Sequence, residues 1–293
     1  MTGLAERLEG GLIPAVPVPF RGRDLDAQAQ RSYARWMSGQ PVAGVAVWAH
    51  TGRGPHLGAE QRREVLDTWR EALPDRVLVA GARDISMAIE ARRGKADALL
   101  AFPQSTDPVG YHQRLGRELP IIAFYLYESA GGVAYDDHTL HAILQLPEVI
   151  GIKVATLDSV MTFQRIAAVL QEHPDKLLIT GEDRFLGYSL LLGARAALIG
   201  MGSALPDLQA DLLRARSAED WPRFVALSEL CDRFGQTTFI QPMEGYIRRM
   251  LWAAAAEGAI PPDSCDDPWG PALPADERAA VERMVRDARA ARA

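Results

Sequence analysis

Lysine is nearly missing from this 293-residue chain. Lys95, Lys153 and Lys176 are its only lysines among 32 basic residues, and arginine takes every other position. Cysteine is scarcer still: Cys231 and Cys265 stand far apart, with no CxxC pairing. That excludes a disulfide framework and a cysteine zinc site, and it suits a reducing cytoplasm. No apolar run approaches the roughly 18 residues that span a bilayer, and the stretch Met1-Thr2-Gly3-Leu4-Ala5-Glu6-Arg7 lacks the apolar core of a signal peptide. A cytoplasmic protein that makes no membrane contact is expected. Excess positive charge is absent as well. The net charge of −6 argues against nucleic acid and anionic membrane surfaces as partners.

What is present is a globular composition. Hydrophobic residues make up 48%, enough for a sizeable core in one large domain, or one plus an appendage. Short apolar runs predict strands: Leu12 to Phe20, Gly44 to Trp48, Val77 to Ala82, Ala98 to Phe102, Ile121 to Leu126, Val149 to Ala155, Leu177 to Thr180 and Ala196 to Met201. Helical patterns lie between them, with Asp26, Asp136 and Asp158 placed as caps. Eight strand–helix alternations in about 215 residues predict a parallel sheet covered by helices. At this length a closed (β/α)8 TIM barrel fits better than an open doubly wound sheet, since no GxGxxG turn follows the first strand. Residues 1–215 are therefore expected to form the barrel. Residues 216–293 read as helices only, over about 217–234, 241–257 and 275–291, and are expected to form a C-terminal helical appendage.

The lysine shortage makes one position conspicuous. Lys95 and Lys176 lie in polar, turn-like settings where either base would serve. Lys153 sits inside the apolar strand Val149-Ile150-Gly151-Ile152-Lys153-Val154-Ala155, where an unpaired ammonium is expensive. A lysine can lose its proton and attack a carbonyl, and arginine cannot at accessible pH. The alternative is a strand-end lysine that reaches solvent or a carboxylate. In a barrel of this kind the site lies at the C-terminal strand ends. The residues there are His50 and Thr51 with Gly52 after strand two, Tyr125 on strand five, Gly181-Glu182-Asp183 after strand seven, and Ile199 to Ser203 closing strand eight. Each also has an ordinary structural role open to it: a turn, a core tyrosine, helix-capping carboxylates. Asp136-Asp137-His138 and His141 read as a capped helix start rather than a metal site, and no metal ligand set is expected. A lysine, a phenol, a hydroxyl and an imidazole at one mouth, with a backbone loop at 50–54 for a carboxylate, would equip iminium chemistry on a 2-keto acid.

At these residues the chain resembles the dihydrodipicolinate synthase / N-acetylneuraminate lyase family of class I, pyruvate-type aldolases. Ile150-Gly151-Ile152-Lys153 is similar to the family's Schiff-base strand, and Tyr125 stands 28 residues before the lysine, at the family's proton-transfer tyrosine. Gly44 to Pro55 is similar to the family's G-(V/I)-x-x-x-G-T-T-G-E-x-P segment, and Gly193-Ala194 to Gly200 to its strand eight. The resemblance implies a TIM barrel with a C-terminal helical region, a homo-oligomer (tetramer or dimer), no cofactor, and a small-molecule 2-keto acid as partner. It implies catalytic roles for Lys153, Tyr125, His50 and Thr51. It implies substrate contacts from Thr51, Gly52, Gly181, Glu182 and Asp183 and from the Ile199 backbone, the last facing the pyruvyl group.

The departures bear on substrate. The family's threonine pair becomes His50-Thr51 and the following glutamate becomes Arg53. The arginine that dihydrodipicolinate synthases carry after strand five falls near Ala130, so true dihydrodipicolinate synthesis is not expected. The tyrosine lent by a neighbouring subunit falls near Gln104-Ser105. The expected activity is aldol cleavage or condensation of a 2-keto-3-deoxy sugar acid, with Glu128, Glu182 and Asp183 available for its hydroxyls. Dehydration of such an acid on the same lysine is the alternative, and a non-catalytic keto-acid sensor is the alternative of another class.

Overall fold

The computed structural model describes residues 3–292. Eight parallel strands form a TIM barrel: β1 (Leu12–Pro14), β2 (Gly44–Val47), β3 (Val77–Ala82), β4 (Ala98–Ala101), β5 (Ile121–Leu126), β6 (Val149–Ala155), β7 (Leu177–Thr180) and β8 (Ala196–Ile199). Each pairs with its sequence neighbour, and β1 pairs with β8. The ring closes between β1 and β2 through the Ala15–Ala46 bridge and the bonds Ala43 N–H to Leu12 O and Val16 N–H to Ala46 O. Strand β1 is shorter than the apolar run Leu12 to Phe20 suggests. Pro14, Pro17 and Pro19 remove the donors a ladder needs. The chain instead forms a small hairpin, Phe20–Arg21 against Asp24–Leu25.

The barrel is filled rather than hollow. Ile13, Val79, Leu100, Phe124, Ile179 and Leu198 pack inside it. A larger core lies between the strands and the helices α2 (Ala27–Ser38), α3 (Ala59–Ala72), α4 (Ile85–Arg93), α5 (Pro108–Gly116), α6 (Asp137–Leu144), α7 (Val160–Gln171), α8 (Leu186–Leu191) and α9 (Pro206–Ser217). A short α1 (Leu4–Leu8), not foreseen from the sequence, precedes β1. Local chemistry sets the helix starts. Asp26 accepts from the Gln28 and Ala29 amides and Asp136 from that of Thr139. The cap of α7 is Ser159, one residue beyond the expected Asp158, because its hydroxyl takes the Thr162 amide.

Beyond the barrel come α10 (Trp221–Thr238), α11 (Tyr246–Ala256) and α12 (Glu277–Ala290). Helix α10 packs on α8 and α9, and α11 packs on α12. The turn between α10 and α11 crosses the C-terminal mouth of the barrel, where Phe239, Met243 and Tyr246 line the central cavity. Arg249, fully buried, holds this turn. Its guanidinium donates to the carbonyls of Thr238, Ile240, Gln241 and Pro242 and pairs with Glu277. Among the described residues no helix is long and apolar enough to cross a membrane. Cys231 and Cys265 are buried free thiols.

Candidate active site

Strand β6 alternates between two environments. Ile152 and Val154 join the core under the helices, Ala155 joins the barrel interior, and Lys153 points inward with Ala155. Lys153 is 5% exposed, with Nζ 4.3 Å from the centroid of the Phe124 ring. Burial pulls its pKa down to about 8, against the attraction of Asp183 and Glu182. Gly181 gives the side chain its room: a Cβ there would lie 2.6 Å from Lys153 Cε. The amine therefore ends in a small cavity at the strand ends, with a free volume of about 30 Å³, roughly room for a water or two. Partly exposed Tyr127, Leu157 and Met243 form its rim.

His50 and Thr51 reach this cavity and Gly181, Glu182 and Asp183 line it, as the strand-end placement predicts. Their roles differ from one another. Thr51 is buried, and its Oγ1 lies 3.0 Å from the Tyr246 hydroxyl. The Arg53 and Gly54 amides are used by the His50 and Ala49 carbonyls, whereas those of Thr51 and Gly52 have no acceptor among the described residues. They remain available to an anion. The Gly52 Cα itself serves packing. A Cβ on it would lie 2.9 Å from the Val16 carbonyl, and Gly52 does not line the cavity.

Glu182 is a loop anchor. Its carboxylate accepts from the Thr156 amide (2.6 Å), the Thr156 hydroxyl (2.9 Å) and the Leu157 amide (3.1 Å), which leaves it little capacity for a sugar hydroxyl. Burial nonetheless pushes its pKa up to about 8. Asp183 accepts from the Met201 amide at 2.7 Å, which ties the loop after β7 to the turn after β8. Burial raises its pKa too, and the neighbouring Lys153 opposes that rise. Glu128 is exposed on a turn and stands off the cavity. The Ile199 carbonyl is taken by the Ala15 amide, and Gly200, not Ile199, lines the wall.

Tyr125 does not reach the site. A β-bulge at Ile150 shifts the register of β5 on β6, so that Lys153 pairs with Phe124 and Tyr125 with Val154. Phe124 thus faces the amine. Tyr125 faces the helices, packed edge-on to Tyr135, with Arg165 Nη2 3.5 Å from its hydroxyl. The 28-residue spacing to Lys153 is matched in sequence, but the bulge spends one residue of it.

Three residues that the sequence did not single out belong to the site: Tyr127 and Tyr246 line the cavity, and Glu244 stands behind them, accepting from the Tyr127 hydroxyl. Glu244 lies 3.3 Å from His50 Nε2 and accepts from Arg53 Nη1 at 2.9 Å. Burial works against its ionisation, but His50 and Arg53 prevail and hold its pKa at about 2. Arg53 is itself gripped by both oxygens of Asp267. The available signal was the segment Gln241-Pro242-Met243-Glu244-Gly245-Tyr246, which interrupts the helix expected over 241–257 with a 3₁₀ turn. Asp136 is a helix cap, as expected, and His141 pairs with His173 at 2.9 Å. Among the described residues no group of three or more His, Cys, Asp or Glu is placed to hold a metal.

No family model matches the chain. A 4-hydroxy-tetrahydrodipicolinate synthase from Ruegeria pomeroyi is 27% identical over 250 residues, covering 79% of this chain and 84% of that one. Among solved structures, a Ruminococcus gnavus sialic acid aldolase, a catalytic lysine mutant, superposes with a TM-score of 0.85. It is 18% identical and covers 99% of both chains. N-acetylneuraminate lyase from Mycoplasma synoviae superposes with a TM-score of 0.79 at 18% identity, over 97% of this chain and 98% of that one. The two structures share the fold, and the synthase shares sequence over most of both chains.

Proposed function

We propose, for a chain that belongs to the dihydrodipicolinate synthase / N-acetylneuraminate lyase family of class I aldolases, aldol cleavage or condensation of a 2-keto-3-deoxy sugar acid through a Schiff base on Lys153. One observation carries the reading. A lysine in an arginine-rich chain lies buried at the C-terminal mouth of the barrel, its pKa lowered so that a neutral amine is accessible near pH 8.

The amine adds to the C2 ketone, and loss of water gives an iminium. The free amide of Thr51, which lines the cavity, is the donor offered to the substrate carboxylate. The iminium is an electron sink. Deprotonation of the C4 hydroxyl breaks the C3–C4 bond and yields an aldehyde and the pyruvate enamine. Deprotonation at C3 with departure of the C4 hydroxyl yields a dehydrated product from the same iminium, which is the dehydratase alternative. True dihydrodipicolinate synthesis is not part of the proposal, because the position expected for a carboxylate-binding arginine falls near Ala130. A homo-oligomer is part of the proposal. Tyr188, Leu191, Trp221 and Val225 form exposed apolar surface on the neighbouring helices α8 and α10.

A screen of 2-keto-3-deoxy sugar acids for released pyruvate tests the reading. Pyruvate and aldehyde in equal amounts are expected from at least one acid. Loss of substrate without pyruvate would move the assignment to dehydration. Reversible binding of an acid with no turnover would move it to a sensor.

A further inference from the structure

The phenol on strand β5 faces away from the amine, so the proton chemistry of this site needs another source. We propose that Tyr246, delivered to the barrel mouth by the C-terminal helical region, is the acid–base residue of the Lys153 site, positioned and reprotonated by a Glu244–His50 relay. The inference rests on the Schiff-base reading above and adds to it the group that moves the proton.

The geometry is a continuous chain. Glu244 Oε2 lies 3.3 Å from His50 Nε2, His50 Nδ1 lies 3.1 Å from the Tyr246 hydroxyl, and that hydroxyl lies 3.0 Å from Thr51 Oγ1. A carboxylate orients an imidazole, and the imidazole's other nitrogen meets a hydroxyl, as in a carboxylate–histidine–nucleophile triad, but with a phenol at the end. Each member is fixed from behind. The Tyr246 ring stacks on Phe239 at 4.7 Å, Arg53 and the Tyr127 hydroxyl hold Glu244, and Asp267 holds Arg53. Tyr246 and Thr51 both close on Gly200, where a Cβ would lie 3.1 Å from the Tyr246 ring and 3.2 Å from Thr51 Oγ1, so the absent side chain leaves the cavity wall open there. Burial raises the Tyr246 pKa well above that of a free phenol, so it stays protonated as a donor near neutrality.

In the step assigned to it, Tyr246 gives its proton to the carbinolamine hydroxyl on C2. The C2–O bond breaks and water leaves, while the nitrogen lone pair of Lys153 closes the C=N bond of the iminium. The Tyr246 phenolate then recovers a proton through His50 or Thr51.

The test compares rates of borohydride trapping of pyruvate by the intact protein and three variants. Tyr246→Phe keeps the stacked ring and loses only the hydroxyl, and a fall of about 10²–10⁴-fold is expected. Tyr125→Phe is expected to trap at the wild-type rate. Glu244→Gln is expected to lower the maximal rate about tenfold or more while the pyruvate concentration at half-maximal rate stays put; a purely structural role in shaping the cavity would shift that concentration instead. Wild-type trapping with an undiminished Tyr246→Phe rate overturns the inference alone, as does a loss confined to Tyr125→Phe. No adduct on the wild-type protein overturns the Schiff-base reading and the inference together. Should Tyr246→Phe fold poorly by circular dichroism, His50→Gln substitutes for it, with the same expected fall and the same overturning result.

Discussion

An amine buried at position 153 sets a balance between chemistry and stability at a single residue. Lys153 binds its proton less tightly in the folded chain, near pH 8, than at its ordinary value of 10.5. Below pH 8 its burial therefore costs stability, and the cost fades as pH rises toward 10.5, where the unfolded chain releases the proton too. Lys153→Met is expected to abolish the covalent adduct yet raise stability by about 1–3 kcal/mol at pH 7, with the gain gone above pH 10.5. Urea unfolding at several pH values measures it. The same shift sets a rate profile. Adduct formation with pyruvate should climb with pH as the amine deprotonates, pass half its maximum near pH 8 and level off above that. A pH-independent rate would remove the lysine ionisation from the limiting step. Lys153 was legible in the sequence because its type clashes with its surroundings. Tyr125 was misread because a residue's type says nothing about the face it takes once a bulge has shifted the strand.

At the scale of elements, the barrel's strands were legible because their apolar runs are bounded by glycine, proline and polar residues, and β3, β5, β6 and β7 match their runs to the residue. Register was not legible, since the unpaired residue at Ile150 is a property of the pair β5–β6 and not of either strand alone. Gly181 shows how tightly two neighbouring strands are fitted around the amine. A Cβ there meets Lys153 Cε at 2.6 Å, Ala155 Cβ at 2.9 Å and the Val154 carbonyl at 3.0 Å. Gly181→Ala is expected to cost about 1–3 kcal/mol of stability by overpacking and to slow adduct formation by about 10²-fold by pushing the amine off line. Melting and trapping rates on one preparation separate the two effects. An unchanged trapping rate would show that the lysine has a second productive rotamer.

The whole molecule joins two parts that the sequence presents separately. The helices after the barrel were legible as helices, but their contribution to the site was not. Glu244, Tyr246 and Asp267 meet His50, Thr51 and Arg53 only through contacts spanning about 190 to 215 residues of chain, and no local pattern encodes such a meeting. Arg249 holds that connection by bonding the turn at 238–242 and pairing with Glu277. Arg249→Ala leaves those carbonyls and Glu277 without their buried partner. It is expected to destabilise the protein by about 3–5 kcal/mol, read by urea unfolding, and to slow adduct formation in the fraction that remains folded. The proposed chemistry as a whole stands on the amine of Lys153. Its most direct measurement is mass spectrometry of the intact protein, then of its peptides, after incubation with pyruvate and borohydride. One reduced pyruvyl adduct per chain, on the peptide that carries Lys153 and absent from Lys153→Arg, is the predicted result. An adduct on Lys95 or Lys176, or none with pyruvate or any 2-keto acid, would contradict it.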